Sequence, residues 1–277
     1  MTDQQVESTV VKAYSKLTLS LRVFRSYQSG NFENYHPIEA VMTSLDLADT
    51  LKISEGDGIT VEGRYSAGVP EDNLVSKTLD LLGIRRAVVL TKNIPSGGGL
   101  GGGSTDAAAL IRWALNAQDK NIREPARLLI NDMGKVALDL GADVPFCING
   151  GLSEVAGVGE ILKPIPFVPR EFYLFLMPFG ISTKSVFEKF DQLGDVDSTE
   201  SPNNLMSVAQ IVEPRLKLAI DLINKRFGII PKLAGSGSTL FYEIGDERES
   251  GILETSLEAD FGLINIVKSC SVRPAHI

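Results

Sequence analysis

The stretch Pro95-Ser-Gly-Gly-Gly-Leu-Gly-Gly-Gly-Ser-Thr-Asp-Ala-Ala108 is the most informative segment of this chain. Six glycines fall within the seven positions 97–103, and an alanine-rich run follows over 104–117. The polar residues Ser104, Thr105 and Asp106 stand where helix-capping side chains usually stand, directly ahead of that run. The sequence therefore predicts a glycine-rich loop over 95–103 that leads into a helix beginning near residue 104.

This loop also predicts a binding site for an anion. Glycine lets a backbone curl until several N–H groups converge, and the positive end of the helix dipole adds to their field. No Gly-Lys-Ser/Thr sequence follows, which excludes a Walker A loop, and the dinucleotide fingerprint is a poor match. A flexible surface loop is the plain alternative, but such a linker rarely adjoins a capped, alanine-rich helix. We expect the loop to hold a triphosphate.

Composition limits the partners of the protein. The chain has 277 residues, 43% of them hydrophobic, and a net charge of −8, which argues against nucleic acid or an anionic membrane as the main partner. Cys147 and Cys270 match no metal or disulfide spacing, and no long apolar segment is present. We expect a cytoplasmic protein. With only two histidines, His36 and His276, the composition argues against a His-based triad or a multi-His metal site.

Hydrophobic periodicity predicts a mixed α/β chain, and prolines at 164, 166 and 169 favour a boundary between two domains, which we set at residues 1–155 and 156–277. Alternation predicts strands over 10–24 and 49–61, and helical spacing over 73–82 ends at Gly83. The remaining predicted helices lie over 125–140, 183–190 and 214–227, and the remaining strands lie over 86–91, near 150 and 157–162, and over 174–178 and 263–267.

Three motifs in order resemble those of the GHMP kinases, the family of galactokinase and of homoserine, mevalonate and phosphomevalonate kinases. The glycine loop resembles the phosphate-binding motif, the segment 13–21 resembles the first motif, and the segment 233–239 resembles the third. The resemblance implies transfer of the γ-phosphoryl of ATP to a hydroxyl of a small molecule. It also implies a ribosomal S5-like N-terminal domain, a ferredoxin-like C-terminal domain and an active site between them.

Markers between those motifs resemble one branch of the family, which phosphorylates the 2-hydroxyl of a cytidine diphosphate-linked methylerythritol in the non-mevalonate route to isoprenoids. They are Tyr35-His36, Asn73-Leu74, Gly141-Ala-Asp143-Val-Pro-Phe, Gly157-x-Gly-Glu160, Ile181-Ser-Thr and Asn203-Asn204-Leu205. Two alternatives stay open: a GHMP kinase for another small alcohol, and a non-catalytic nucleotide-binding protein. The sequence leaves a monomer and a homodimer equally open.

The resemblance assigns the chemistry to two residues. Asp143 would act as the base toward the substrate hydroxyl, and Lys16 would polarise the same hydroxyl. The plain alternatives are that Asp143 is a turn or cap residue before Pro145 and that Lys16 is a solvated lysine on a strand.

The resemblance also gives the ATP site. Asn73 and Lys92 would lie near the adenine and Ser104 near the phosphates or a metal ion. The full set expected to bind ATP is Asn73, Lys92, Pro95, Gly97, Gly98, Gly99, Leu100, Gly101, Gly102, Gly103, Ser104, Thr105, Gly235, Ser236 and Gly237. Mg²⁺ should arrive with ATP, held mainly by phosphate oxygens and water rather than by a protein cage.

The resemblance also implies that three residues bind the cytosine base. Of Tyr35 and His36, one would stack on the base and the other would hydrogen-bond to its edge, and the aromatic ring of Phe187 would assist them. The chain departs from the branch at Thr18, where an asparagine is usual near the substrate. A hydroxyl is shorter than a carboxamide, so this contact must be closer or bridged by water. Glu33-Asn34 also replaces the usual Asp-Gly before Tyr35.

Overall fold

The computed structural model describes residues 8–67, 73–194, 201–245 and 255–273, which form two β-sheets with helices packed on them. The first sheet and its helices comprise β1 (Ser8–Val23), β2 (Ile38–Ser54), β3 (Ile59–Glu62), α1 (Leu74–Leu82), β4 (Ala87–Thr91), α2 (Gly102–Leu115), α3 (Lys120–Ile130), α4 (Met133–Leu140), α5 (Val144–Asn149), β5 (Leu152–Gly157) and β6 (Ile161–Pro164). The second comprise β7 (Glu171–Leu176), α6 (Thr183–Leu193), α7 (Met206–Val212), α8 (Arg215–Phe227), β8 (Lys232–Leu233), β9 (Leu240–Glu243), β10 (Ser256–Ala259) and β11 (Gly262–Cys270).

The long strand β2 organises the first sheet. Along one edge β2 pairs with β1, and along the other it pairs first with β5 and then with β4. Helix α2 lies against β1 and β2 and buries its alanine-rich face, including Ala107, Ala108 and Ile111. Because small alanines let the helix approach the sheet closely, the start of α2 is fixed at the edge of this domain's core.

The second sheet has the strand order β10-β11-β7-β9-β8, and all its pairs are antiparallel. The central strand β7 is a buried apolar run over 172–176, as expected for a strand covered on both faces. Strand β6 falls within the range expected for the second domain, yet it pairs with β5 of the first sheet. The chain passes from one sheet to the other between Pro164 and Glu171.

Specific hydrogen bonds hold the two sheets together. Asp46 on β2 accepts from Ser269 Oγ at 2.6 Å and from the Cys270 N–H at 3.0 Å. Asn204, just before α7, accepts from the N–H of Val23 on β1 at 3.0 Å and donates its side-chain amide to the carbonyl of the same residue at 2.9 Å. These polar links fix one wall of the cleft between the sheets relative to the other.

The elements agree with the sequence pattern in most places, and the fold is the mixed α/β fold that the pattern predicts. Helix α1 ends at Gly83 with φ 64°, as predicted. The prediction of a single strand over 49–61 was wrong, because a turn with Gly56 and Gly58 at positive φ separates β2 from β3. The prediction of a single helix over 125–140 was also wrong, since Asp132 caps α4 through the Lys135 N–H and thereby starts a second helix.

Within the described ranges, no helix combines the length and the apolar character needed to span a lipid bilayer.

Candidate active site

The glycine loop (Pro95–Gly103) leads into α2 two residues earlier than the polar residues suggest. Gly101 is the N-cap residue, at φ 69°, and no side chain caps the helix. The expected capping by Ser104, Thr105 and Asp106 was therefore wrong: Thr105 instead donates to the Gly102 carbonyl at 2.8 Å, and Asp106 is buried. Because no side chain occupies the first N–H groups of α2, they remain available to an anion in the cleft.

A second loop, Ala234–Thr239, is hydrogen-bonded to the glycine loop. The N–H groups of Ser238 and Thr239 donate to the carbonyls of Gly97 and Gly98, at 3.1 and 3.0 Å. At Gly99, with φ 77°, an added Cβ would run into the Ala234 carbonyl oxygen, so only glycine fits there. The third sequence motif thus shapes the phosphate loop through its backbone.

Most of the residues expected to bind ATP line the cleft, and four do not. Pro95, Gly97–Gly99, Gly101–Ser104, Gly235, Ser236 and Lys92 lie on its wall, whereas Leu100, Thr105, Asn73 and Gly237 are absent from it. Leu100 is buried in the core, and Asn73 accepts from the N–H groups of Val75 and Ser76 as the N-cap of α1. For these two residues the structure shows a role in shaping the loop and the adjoining helix.

Lys16 and Asp143 meet in the middle of the cleft. Lys16 Nζ lies 3.1 Å from Asp143 Oδ2 and donates to Thr18 Oγ1 at 3.1 Å. Lys16 is buried, while 30% of the Asp143 side chain remains exposed to the cleft. The glycine loop packs on the lysine stem, because a Cβ on Gly101 would lie 2.8 Å from Lys16 Cγ. An ammonium and an accessible carboxylate therefore stand beside the phosphate loop.

Lys92 is the centre of a buried charge cluster with Asp49 and Asp106. Its Nζ bonds to Asp49 Oδ2 and, at 2.6 Å, to Asp106 Oδ2. Asp49 Oδ1 also accepts from the N–H groups of Asn93 and Ile94. The cluster thus ties β2 and the end of β4 to the first turns of α2.

The cluster lies out of water, and this changes the pKa values of Asp106 and Lys92. Burial raises the pKa of Asp106 to about 8, helped by the charge of Asp49 and opposed by Lys92. For Lys92, burial opposes the charged form, but the two carboxylates outweigh it and raise its pKa. Asp106 Oδ1 has no hydrogen-bond partner among the described residues. One ammonium shared by two buried carboxylates favours a proton on Asp106.

The far end of the cleft is lined by aromatic rings. Phe187 lies 4.9 Å from the His36 ring, centroid to centroid, with the planes inclined by 60°. His36 Nε2 lies 2.7 Å from Asp191 Oδ1. Tyr35 is exposed beside them, and backbone bonds between Tyr27 and both Asn34 and Tyr35 hold the loop that carries it.

A cleft of about 960 Å³ joins these regions. It brings together Lys16, Thr18, Tyr35, His36, Asp143 and Phe187 with the glycine loop. The sequence did not single out Asp49 or Asp191. Two signals were available: Asp49 is in phase with the buried Leu51 and Ile53 on β2, and Asp191 lies one helical turn after Phe187 on α6.

Several known proteins have sequences similar to this chain. Residues 73–151 match the family model of the GHMP kinases N terminal domain. A protein of Thermoanaerobacter pseudethanolicus named 4-diphosphocytidyl-2-C-methyl-D-erythritol kinase is 32% identical over 86% of this chain and 88% of its own. A protein of the same name from Bacillus pumilus is 33% identical, over 83% of this chain and 86% of its own.

Solved structures agree on the fold. A 4-(cytidine 5'-diphospho)-2C-methyl-D-erythritol kinase superimposes with a TM-score of 0.63 at 24% identity, covering 95% of this chain and 99% of its own. A mevalonate kinase of L. major in complex with R-mevalonate superimposes with a TM-score of 0.59 at 14% identity over the whole of both chains.

Proposed function

Since the chain belongs to the family of 4-diphosphocytidyl-2-C-methyl-D-erythritol kinases, we propose that it transfers the γ-phosphoryl of ATP to the 2-hydroxyl of 4-(cytidine 5'-diphospho)-2-C-methyl-D-erythritol. The reaction belongs to the synthesis of isoprenoid precursors. The observation that supports this function most strongly is the Lys16–Asp143 pair, which lies in one cleft between the glycine loop and the aromatic end.

Asp143 is the proposed base. Its carboxylate is the accessible acid next to the phosphate loop, and it can accept the proton of a hydroxyl as that oxygen attacks the phosphorus. Its position ahead of α5 is fixed by the turn 141–143, where Gly141 has φ 128°. Because α5 receives no side-chain cap from Asp143, the carboxylate is not consumed as a helix cap.

The proposed role of Lys16 follows from its contacts with Asp143 and with the glycine loop. Lys16 orients Asp143 through the ion pair, and it carries positive charge to the point where the hydroxyl and the transferring phosphoryl meet. Lys16 is itself fixed by its backbone, whose N–H donates to the Leu100 carbonyl at 3.0 Å. The phosphate loop and the proposed catalytic lysine are thus held together as one unit.

Thr18 is hydrogen-bonded to Lys16, and this bond affects how its hydroxyl can contact a substrate. Its hydroxyl oxygen accepts from the ammonium at 3.1 Å, which leaves its own O–H free to donate toward the cleft. A substrate oxygen that an asparagine would reach directly elsewhere in the branch is then bound by the shorter hydroxyl or through a water molecule.

A magnesium ion fits the site if the triphosphate supplies most of its ligands. Among the described residues there is no group of three or more His, Cys, Asp or Glu side chains that would bind a metal alone. The Ser104 hydroxyl faces the 141–143 turn, where a Gly141 Cβ would lie 4.0 Å from its oxygen. Ser104 is the residue that we propose as a further ligand of a phosphate-bound ion. Such an ion would offset negative charge on the transferring phosphoryl.

The test is ADP release by purified protein with ATP and Mg²⁺, offered the cytidylated alcohol, mevalonate, homoserine and galactose in parallel. We expect turnover with the cytidylated alcohol alone. Turnover with one of the other three alcohols would support a kinase but refute the proposed substrate. If no ADP were released with any of the four, a non-catalytic nucleotide-binding protein would be favoured.

A further inference from the structure

The His36–Asp191 pair has a consequence for which base the cleft accepts. His36 Nε2 and Asp191 Oδ1 are 2.7 Å apart, the distance of a short hydrogen bond. A carboxylate can only accept a hydrogen bond, so the ring nitrogen that faces it must carry the proton. In the neutral imidazole the other nitrogen, Nδ1, then carries a lone pair and can only accept.

The imidazole is held in this orientation by its neighbours. Phe187 lies 4.9 Å from the ring and Phe190 lies 6.0 Å from it at 76°, so two aromatic rings of α6 limit its rotation. The His36 side chain is only 9% exposed. No hydrogen bond reaches Nδ1 from the segments of the chain that the structure describes. Because His36 lines the cleft, an accepting Nδ1 is available to a donor from a ligand bound there.

We propose that Asp191 is a positioning residue that makes the site select cytosine over uracil, by fixing the His36 proton on Nε2 so that Nδ1 accepts from an exocyclic amine. Cytosine carries such an amine at its N4 atom, whereas uracil has a carbonyl oxygen in the same place. With uracil two acceptors would face each other, which leaves both unpaired. This inference rests on the proposed function, since it takes the base to lie at the aromatic end of the cleft.

The experiment compares kcat/KM for the cytidine diphosphate substrate and its uridine diphosphate analogue in three proteins: wild type, Asp191→Ala and Glu188→Ala. Glu188 is the matched control because it is an exposed acid on α6 that also lines the cleft. We expect strong preference for cytidine in the wild type and in Glu188→Ala. In Asp191→Ala the preference should fall about tenfold or more, while KM for ATP stays unchanged.

Two outcomes would overturn the inference. The preference would persist in Asp191→Ala if the carboxylate did not set the proton position, and it would fall equally in Glu188→Ala if only the charge of α6 mattered. Failure of the wild type to phosphorylate the cytidylated alcohol would instead refute the proposed function and this inference with it.

A second measurement needs no turnover. The chain has two histidines, so ¹⁵N-histidine spectra are simple, and His36→Gln assigns the ring. With His36 neutral we expect a protonated Nε2 and an unprotonated Nδ1 in the wild type. A proton on Nδ1 would overturn the inference regardless of activity.

Discussion

The two ends of the cleft are built in different ways. At the phosphate end the contacts come from backbone groups and from buried charges, with Lys92 locked between Asp49 and Asp106. At the base end they come from side chains on the surface, where Tyr35 is exposed and Asp191 half-exposed. The first end is rigid and suited to a group common to all ATP-dependent enzymes. At the base end, side chains can be substituted with little effect on the fold. Substrate specificity can therefore evolve at that end.

The largest effect should come from the residue between the two ends. Asp143→Asn keeps the size of the side chain but removes the base, so kcat should fall about a thousandfold, which corresponds to about 4 kcal/mol of barrier. KM for ATP should change little, because Asp143 is not in the glycine loop. Steady-state kinetics measure both constants, with Asp139→Asn on the exposed face of α4 as the control. A variant that retained more than about a tenth of the activity would exclude Asp143 as the base.

The buried cluster should dominate stability. Lys92→Met leaves two carboxylates buried without their cation, which should lower the free energy of unfolding by about 3 kcal/mol or more. Lys163→Met removes an exposed pair with Glu154 and should have an effect within the small range of surface ion pairs. Denaturant unfolding of both variants measures the difference. Equal losses would mean that the buried cluster is not more important than a surface ion pair.

The glycine loop offers a matched test within a few residues. Gly99→Ala forces a Cβ toward the Ala234 carbonyl at positive φ, and we expect a loss of about 2 kcal/mol together with weaker ATP binding. At Gly103 the nearest atom to an added Cβ is Leu74 Cδ1, at 3.5 Å, so Gly103→Ala should be tolerated. Thermal unfolding with and without ATP reports both effects. A stable, ATP-binding Gly99→Ala protein would show that the loop is not held against residue 234.

The smallest predicted effect is a pH dependence. Asp106 has a pKa raised to about 8, whereas an unfolded aspartate titrates near pH 4. Between these values the folded state keeps a proton that the unfolded state releases, so the stability contributed by this group falls as pH rises. Asp106→Asn does not titrate, and its stability relative to the wild type should grow by about 1 kcal/mol from about pH 6 to about pH 7. An unchanged difference between the two proteins at both pH values would contradict a protonated Asp106.

Sequence patterns found the phosphate end more completely than the base end. Six glycines in seven positions specify a backbone shape directly, and the structure places that loop at the start of α2. The helix begins at Gly102 rather than Ser104 because Gly101 adopts the left-handed conformation that lets it cap without a side chain. The polar residues predicted as caps have other partners, with Asp106 bonded to Lys92. Local propensity does not reveal such a tertiary partner.

The base end required contacts between distant segments. His36 and Asp191 are separated by 155 positions in sequence, and their pairing depends on how the loop before β2 meets α6. Periodicity identifies the face of α6 that carries Phe187 and Asp191, but it does not identify what that face meets. The Lys16–Asp143 pair likewise joins β1 to the start of α5, and only the folded sheet brings them together.

The most direct test of this division of labour compares two substrates in one assay, the cytidylated alcohol and 2-C-methyl-D-erythritol 4-phosphate, which offers the same alcohol without the cytidine. If the aromatic end supplies the binding energy that places the hydroxyl between Lys16 and Asp143, kcat/KM should be at least about a thousandfold lower for the shorter substrate. Similar values for the two substrates would contradict the account, because the base end would then contribute nothing to the reaction.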